Sequence, residues 1–413
     1  MHSGRRLVAI AVLSTAVLVF PSTRASSRAD QFTPVIASAL TPNTQPFPGT
    51  DGRYHVVYKL ALTNAMPTPA TLQKIEVLDP RSPSPAVAAY KGAELLSNLR
   101  TLANTPASNP EIEFNGTRLF LIDLAFDSRE KVPSRLEHHL DVLGASSPGH
   151  KPAAPQPLSY TVAPLDLTQH LPEVGPPLAG KRWVALNGCC GISGAHRATS
   201  EPVNGRIYFA QRFAIDWRRL DDAGRLVHGD PSNVRNYTSY DADVLAVADG
   251  TVVETLNTLD DQKPGTLPDP KTITLANVDG NHIVLDLGNG VFAFYAHLQR
   301  NSITVARGVR VKRGQVLGKL GNTGNTSAPH LHFHLMDGAS VLGSNGLPYA
   351  IDAFSLAGQV SEAKLAAAPG IEGDWSDGLL PQPSARRQQL PLNLAIVNSP
   401  PATSPAASVQ LNQ

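Results

Sequence analysis

Three histidines, His330, His332 and His334, stand at alternate positions, with Leu331, Phe333 and Leu335 beside them. Alternation with a period of two marks a β-strand, so the imidazoles share one face and the apolar side chains pack on the other. Same-face neighbours on a strand lie roughly 6.5–7 Å apart, close enough for two imidazoles to flank one metal ion or its water. A strand with a merely solvated polar face has no need for three of the chain's 13 histidines in one short run. Ahead of them, Gly321-Asn-Thr-Gly-Asn-Thr-Ser-Ala-Pro329 has the flexibility to line a cleft.

The elements that must position this strand are themselves strands. Asp241 to Glu254 alternates around an Asp249-Gly250 turn, Asn281 to Asp286 and Val291 to Leu298 follow, and Val309 to Gly321 leads into the histidines. Upstream, Asn204-Gly205 is a strong hairpin signal. Residues 181–355 therefore read as an antiparallel β domain. Residues 32–163 read as a separate set of short strands, Tyr54 to Asn64 among them, and suggest an immunoglobulin-like β-sandwich. The fold class is all-β. His138-His139 in this half reads as structural, because adjacent strand residues face opposite ways. The Pro- and Gly-rich residues 164–180 read as an accessible linker, and residues 356–413 as a largely disordered extension in which Leu390 to Val397 is a candidate last strand.

With 35 basic and 34 acidic residues the chain carries a formal charge of +1, which implies no charge-driven partner such as nucleic acid. Arg5-Arg6, an apolar run from Leu7 to Phe20 and small residues after Pro21 read as a signal peptide over residues 1–26. The expectation is a periplasmic or secreted protein with no membrane span in the mature chain. Cys189 and Cys190 are adjacent, which suits the usual disulfide geometry poorly, so they read as two small buried thiols. A vicinal bridge and a thiolate metal ligand stay open.

The order of these elements resembles a known family. Asp243-Val-Leu-Ala-Val-Ala-Asp-Gly-Thr-Val-Val, Tyr295-Ala-His297-Leu298 and Pro329-His330-Leu-His332-Phe are similar to the lysostaphin-type, or LytM-like, zinc endopeptidases. The resemblance implies an antiparallel β structure with a groove, and a zinc ion (Zn2+) as cofactor. It further implies hydrolysis of peptide bonds in bacterial cell-wall peptidoglycan by metal-activated water. It places His332 and Asp216 as zinc ligands, with His297 and His330 assisting catalysis. Neutral imidazole and carboxylate are suitable zinc ligands, and catalytic sites keep one position open.

Where the family has its first histidine ligand this chain has Arg212. A guanidinium has no lone pair to give a metal. His196 is the expected replacement: a plain hairpin at Asn204-Gly205 sets it opposite Phe213, one place from Arg212, and a single bulge closes the gap. His228 and Cys190 are the fallbacks. His334 stands where the family has glutamate. Two other classes stay open: a degenerate module that binds peptidoglycan or activates a partner hydrolase, which Arg212 favours, and a biotinyl- or lipoyl-like carrier domain, which would not need His-x-His.

Overall fold

The alternation in the first half builds two facing sheets. Strand Tyr54–Asn64 pairs antiparallel with Thr117–Phe126, setting Tyr58 opposite Ile122. Their alternate residues Val56, Tyr58, Leu60, Phe120, Ile122 and Leu124 share a core with Leu72 and Ile75 of Ala70–Leu78 and Leu136 and Leu140 of Arg135–Gly144. Each sheet has five strands, and the buried side chains between them close a β-sandwich. The computed structural model describes residues 30–41, 44–148, 154–168, 170–192, 194–367 and 373–401. The expected signal peptide lies outside these residues, as does the end of the expected disordered extension.

The second half is organised around one twelve-stranded sheet. Its principal strands are β1 (Gly180–Leu186), β2 (Ile215–Arg219), β3 (Gly250–Leu256), β4 (Asn281–Asp286), β5 (Phe292–Leu298), β6 (Leu331–Met336), β7 (Ala350–Gln359), β8 (Leu379–Gln389) and β9 (Ala395–Ser399). They are ordered β7-β9-β1-β2-β6-β5-β4-β3, with β8 paired to β7. Leu331, Phe333 and Leu335 of β6 enter the main core with Ile215 and Trp217 of β2 and Tyr295 of β5. The opposite face of these three strands carries Asp216, the β6 histidines and Phe294. Between β1 and β2 comes a single-turn helix, α1 (Ala195–Ala198).

Two stretches differ from expectation. Residues 170–180 of the expected linker are built into the fold: Val174 and Leu178 are buried in the main core, and the Gly175 amide donates to the Val247 carbonyl over 2.8 Å. Their apolar residues outweigh the Pro/Gly composition that suggests a free linker. In the extension expected to be disordered, β8 and β9 join the sheet, and Ile396 and Val397 of β9 are buried. Leu394 to Val397 is an unbroken apolar run buried throughout, and β9 falls where Leu390 to Val397 reads as a last strand.

The halves also pack together. Leu119 and Leu121, on the outer face of the sandwich sheet, cluster with Ala198 and Phe209. Lys59 lies over the Phe209 ring at 3.7 Å, and burial holds its ammonium well below its usual pKa.

In the sandwich core His138 accepts from the Tyr58 hydroxyl at Nε2 and donates from Nδ1 to the Ala163 carbonyl, each over 2.7 Å. Burial lowers its pKa to about 4, against the pull of the nearby backbone carbonyls. The unfolded chain therefore binds a proton there at higher pH than the folded one. The stability this neutral imidazole contributes is complete above about pH 6.5 and is lost as pH falls toward 4. We expect about 2 kcal/mol to be lost from this group between pH 7 and pH 5. Denaturant unfolding of His138→Gln should fall by correspondingly less over that range; an unchanged pH dependence would contradict it.

Candidate functional site

Asp216 on β2 stands directly opposite His332 on β6. Residues paired in this way project to the same side of a sheet. His332 Nδ1 lies 3.0 Å from Asp216 Oδ1. From α1, His196 turns its Nε2 to the same oxygen at 3.6 Å. Its Nδ1 lies 3.0 Å from the Asn187 carbonyl and 3.1 Å from the Ala214 carbonyl. Donation to those carbonyls puts the proton on Nδ1 and leaves Nε2 with a free lone pair. The second carboxylate oxygen accepts from Asn187 Nδ2 over 2.7 Å, which fixes the carboxylate plane. One ligand atom from each of His196, Asp216 and His332 lies within 4.8 Å of the others.

Two more imidazoles border this group. His330 Nε2 lies 3.4 Å from Asp216 Oδ1, while its Nδ1 donates to the Ala328 carbonyl over 2.8 Å. His297 faces it, ring centroids 4.6 Å apart, and donates from Nδ1 to the Thr323 carbonyl over 2.7 Å. Each of these two rings thus presents an unprotonated Nε2. His297 has a φ of 63°, a left-handed conformation rare outside glycine, at the end of β5. Strict alternation would send its side chain to the core side with Tyr295; the turn of the backbone aims it at His330 instead.

The loop ahead of β6 makes this arrangement rigid. Gly324 and Gly280, both at positive φ, meet backbone to backbone: a Cβ on Gly324 would lie 2.2 Å from the Gly280 nitrogen. That contact seats the Thr323 carbonyl against His297 and lets the Thr323 hydroxyl accept from the Asn281 amide over 2.8 Å. The His-bearing face lines a cavity of about 280 Å³ that also receives Arg218, Asp279 and Asn325. A larger cavity of about 470 Å³ lies elsewhere, beside Tyr54, Glu173 and Arg387, and holds no such cluster.

Burial lowers the pKa of His297 well below the usual value, reinforced by its histidine neighbours, and lowers that of His332 to about 4 despite Asp216. Burial alone would raise the Asp216 pKa, but the imidazoles of His196, His330 and His332 hold it well below the usual carboxylate range. A buried carboxylate with two converging imidazole nitrogens, each able to offer a lone pair once a cation replaces any proton there, is a donor set that suits zinc. His334 extends it: its Nδ1 lies 3.1 Å from His332 Nε2. That contact serves a His332 whose Nδ1 is given to a metal and whose Nε2 carries the proton.

His196 reaches the site by a route the sequence did not suggest. The Asn204-Gly205 hairpin has the expected register, Val203 opposite Arg206, but pairing ends at Glu201 and Tyr208. His196 sits not on a bulged strand but on α1, which turns the chain back toward β2. Arg212 does not share a strand face with Asp216. Residues 209–214 form turns, Phe213 has a φ of 67°, and β2 begins only at Ile215. The buried Arg212 guanidinium instead donates from Nε to the Gly346 carbonyl over 2.8 Å. Cys189 and Cys190 are bonded to each other, which corrects the expectation of two free thiols and removes Cys190 as a thiolate ligand. His228 ion-pairs with Asp221 and is not among the residues lining the cavity. Asn187 and Arg218 carried no motif signal, and only the structure brings them to the site.

Comparison with known proteins bears on this geometry. Residues 234–343 match the description of Peptidase family M23. This stretch is an M23 peptidase domain. It contains His297, His330 and His332 and stops short of Asp216 and His196. Over 57 residues, 14% of its length, this chain is 44% identical to the peptidoglycan DD-endopeptidase ShyA of Vibrio cholerae, of whose length the match spans 13%. Over 58 residues, again 14% of this chain, it is 47% identical to the glycyl-glycine endopeptidase ALE-1 of Staphylococcus capitis, spanning 16% of that protein. The catalytic domain of lysostaphin from Staphylococcus simulans aligns with 40% of this chain and 88% of its own at 20% identity and a TM-score of 0.22.

Because Arg212 serves the Gly346 turn and not the cavity, Arg212→His should act on stability. Losing a charged donor to a buried carbonyl is expected to cost about 2 kcal/mol. Thermal unfolding would register this as a lower midpoint; an unchanged or higher one would mean that the position tolerates histidine as the family pattern has it.

Proposed function

We propose that the chain is a zinc-dependent endopeptidase that hydrolyses peptide bonds in bacterial cell-wall peptidoglycan, acting in the periplasm or outside the cell. The observation that carries this reading is the convergence of His196 Nε2 and His332 Nδ1 on Asp216 Oδ1, with His330 and His297 in contact alongside. The M23 match and relatives that are named peptidoglycan or glycyl-glycine endopeptidases support the substrate class. No helix among the described residues is long and apolar enough to cross a membrane.

In this reading His196, Asp216 and His332 hold the ion. Zinc, when bound, supplies a Lewis acid that acidifies water and polarises a carbonyl. The chain's own groups do the rest. The Asn187 and Ala214 carbonyls orient His196, the Asn187 amide orients the carboxylate, and His334 orients His332. His330 and His297, each with its proton held on Nδ1, can accept a proton at Nε2. Once protonated, either becomes a donor to the developing oxyanion or to the leaving amine. The rival reading of a non-hydrolytic module that binds peptidoglycan or activates a partner hydrolase drew on Arg212. It loses that support when His196 supplies a third donor.

His196→Ala and His332→Ala should each strip the purified protein of most of its zinc, about one ion per chain. His330→Ala and His297→Ala should keep the metal and lower hydrolysis of purified peptidoglycan by about 10²–10⁴-fold. Full zinc in His196→Ala would overturn the ligand set. A wild-type protein with full zinc and no hydrolysis would restore the rival reading.

A further inference from the structure

Two residues beyond Asp216 on the same strand, and therefore on the same face, lies Arg218. Val184 of β1 is its cross-strand partner, and Leu220 and Leu186 lie on this face as well, so its aliphatic stem runs beside apolar neighbours. Its head reaches the cavity that holds the four histidines, and also an adjoining depression of about 360 Å³ beside Asn187, Glu362 and Asn393. The guanidinium makes no hydrogen bond and no ion pair among the described residues, and its Nε is sealed from solvent without a partner. Asp216 is too far for an ion pair and is committed to Asn187 and the imidazoles. Glu362 accepts from Asn393 Nδ2 over 2.9 Å. Asp279, the other carboxyl of the cavity, has its pKa raised to about 6 by burial, and it makes no ion pair with Arg218.

Arg218 is the one Lys or Arg among the described residues lining the cavity. A guanidinium keeps its proton, and this one is half-buried with its Nε sealed and unpaired, so water only partly compensates its charge. A divalent ion held by Asp216 would make its surroundings more positive still. Such a group is matched by an anion, and its planar fork of donors fits a carboxylate in two parallel hydrogen bonds.

We propose that Arg218 is a specificity residue that binds a free carboxylate of the peptide substrate, carried within about two residues of the scissile bond. The span follows from strand geometry: same-face neighbours are roughly 6.5–7 Å apart, which an extended peptide covers in about two residues. The substrate chain runs from the His297 end of the cavity past Asp216 and Arg218 toward Asn393. The proposal rests on the peptidase reading of the site and narrows its substrate to peptides bearing such a carboxylate.

Three synthetic crosslinked peptides test it: one with its carboxylates free, one amidated at the carboxylate on the amine side of the scissile bond, and one amidated on the acyl side. Wild-type protein should cleave the free form with a kcat/KM about ten- to a hundredfold above one of the amides, mainly through KM. Which amide loses identifies the carboxylate bound. In Arg218→Gln the ratio should fall to near one, and Arg218→Lys should retain part of it. Calorimetry on the full chain stripped with a chelator should show the same preference in binding, and Arg218→Gln should lose it, which assigns the preference to the guanidinium and not to the metal. Equal handling of all three peptides by wild type, or a preference that survives in Arg218→Gln, would overturn the proposal. Binding with the expected preference but no cleavage by zinc-loaded wild type would leave Arg218 assigned and remove the peptidase reading.

Discussion

One carboxylate sets the terms for everything around it. Asp216 is nearly closed off from solvent yet must stay ionised to be of use. Taking a carboxylate out of water favours its neutral form by several pKa units unless neighbours compensate. Here compensation comes from imidazoles at 3.0 to 3.6 Å and from the amide of Asn187. These partners are not interchangeable. Asn187 donates a permanent N–H and anchors one oxygen, while the imidazoles crowd the other oxygen with nitrogens that can be either donors or lone pairs. Backbone carbonyls at Nδ1 fix the protons of His196 and His330, and only His332, with Asp216 at Nδ1 and His334 at Nε2, has a partner at each nitrogen that lets its proton move between them.

That constraint explains which parts of the site could be read from sequence. The period-two alternation through Leu335 located β6, its face and its apolar core side, since strand geometry alone dictates them. Asp216 came from the family resemblance alone, and it pairs with His332 because β2 and β6 are sheet neighbours, a non-local fact. His196 was less legible. The hairpin at Asn204-Gly205 is local chemistry and formed in register, but the short helix before it depends on packing against the other half of the chain. Residues 170–180 and β8 were obscured for a related reason: proline and glycine counts report local backbone preference, whereas the burial of Val174 and Leu178 and the pairing of β8 with β7 are decided by distant strands.

Glycine and strain divide the work at the other end of the site. The Gly321 to Gly324 loop looks in sequence like a flexible wall, and in the fold it is a clamp. Its glycines permit a contact with Gly280 that no side chain could occupy, and the hydrogen bonds of Asn281, Thr323 and His297 lock it there. A non-glycine residue at positive φ is tolerated only where surrounding structure over-determines it. His297 meets that condition: its amide donates to the Asp279 carbonyl and its carbonyl accepts from the Gly321 amide.

The sandwich, which has no catalytic motif of its own, bears on the site through the residue after His196. Arg197 is buried and donates from Nη2 to the Ile122 carbonyl over 2.8 Å, with the Tyr58 carbonyl at 3.4 Å. Ala198 then packs on Leu119 and Leu121. Burial lowers the Arg197 pKa to about 10, partly offset by the nearby charge of Asp123. A four-residue helix has too few internal hydrogen bonds to hold its own shape in water. Its geometry must be imposed from outside, and the sandwich sheet imposes it by accepting Arg197. His196 can hold its Nε2 toward Asp216 only while its neighbour is anchored in that sheet. The first half of the chain therefore acts as the mount for one arm of the candidate metal centre, which accounts for why the two halves are packed together and not joined by a loose tether.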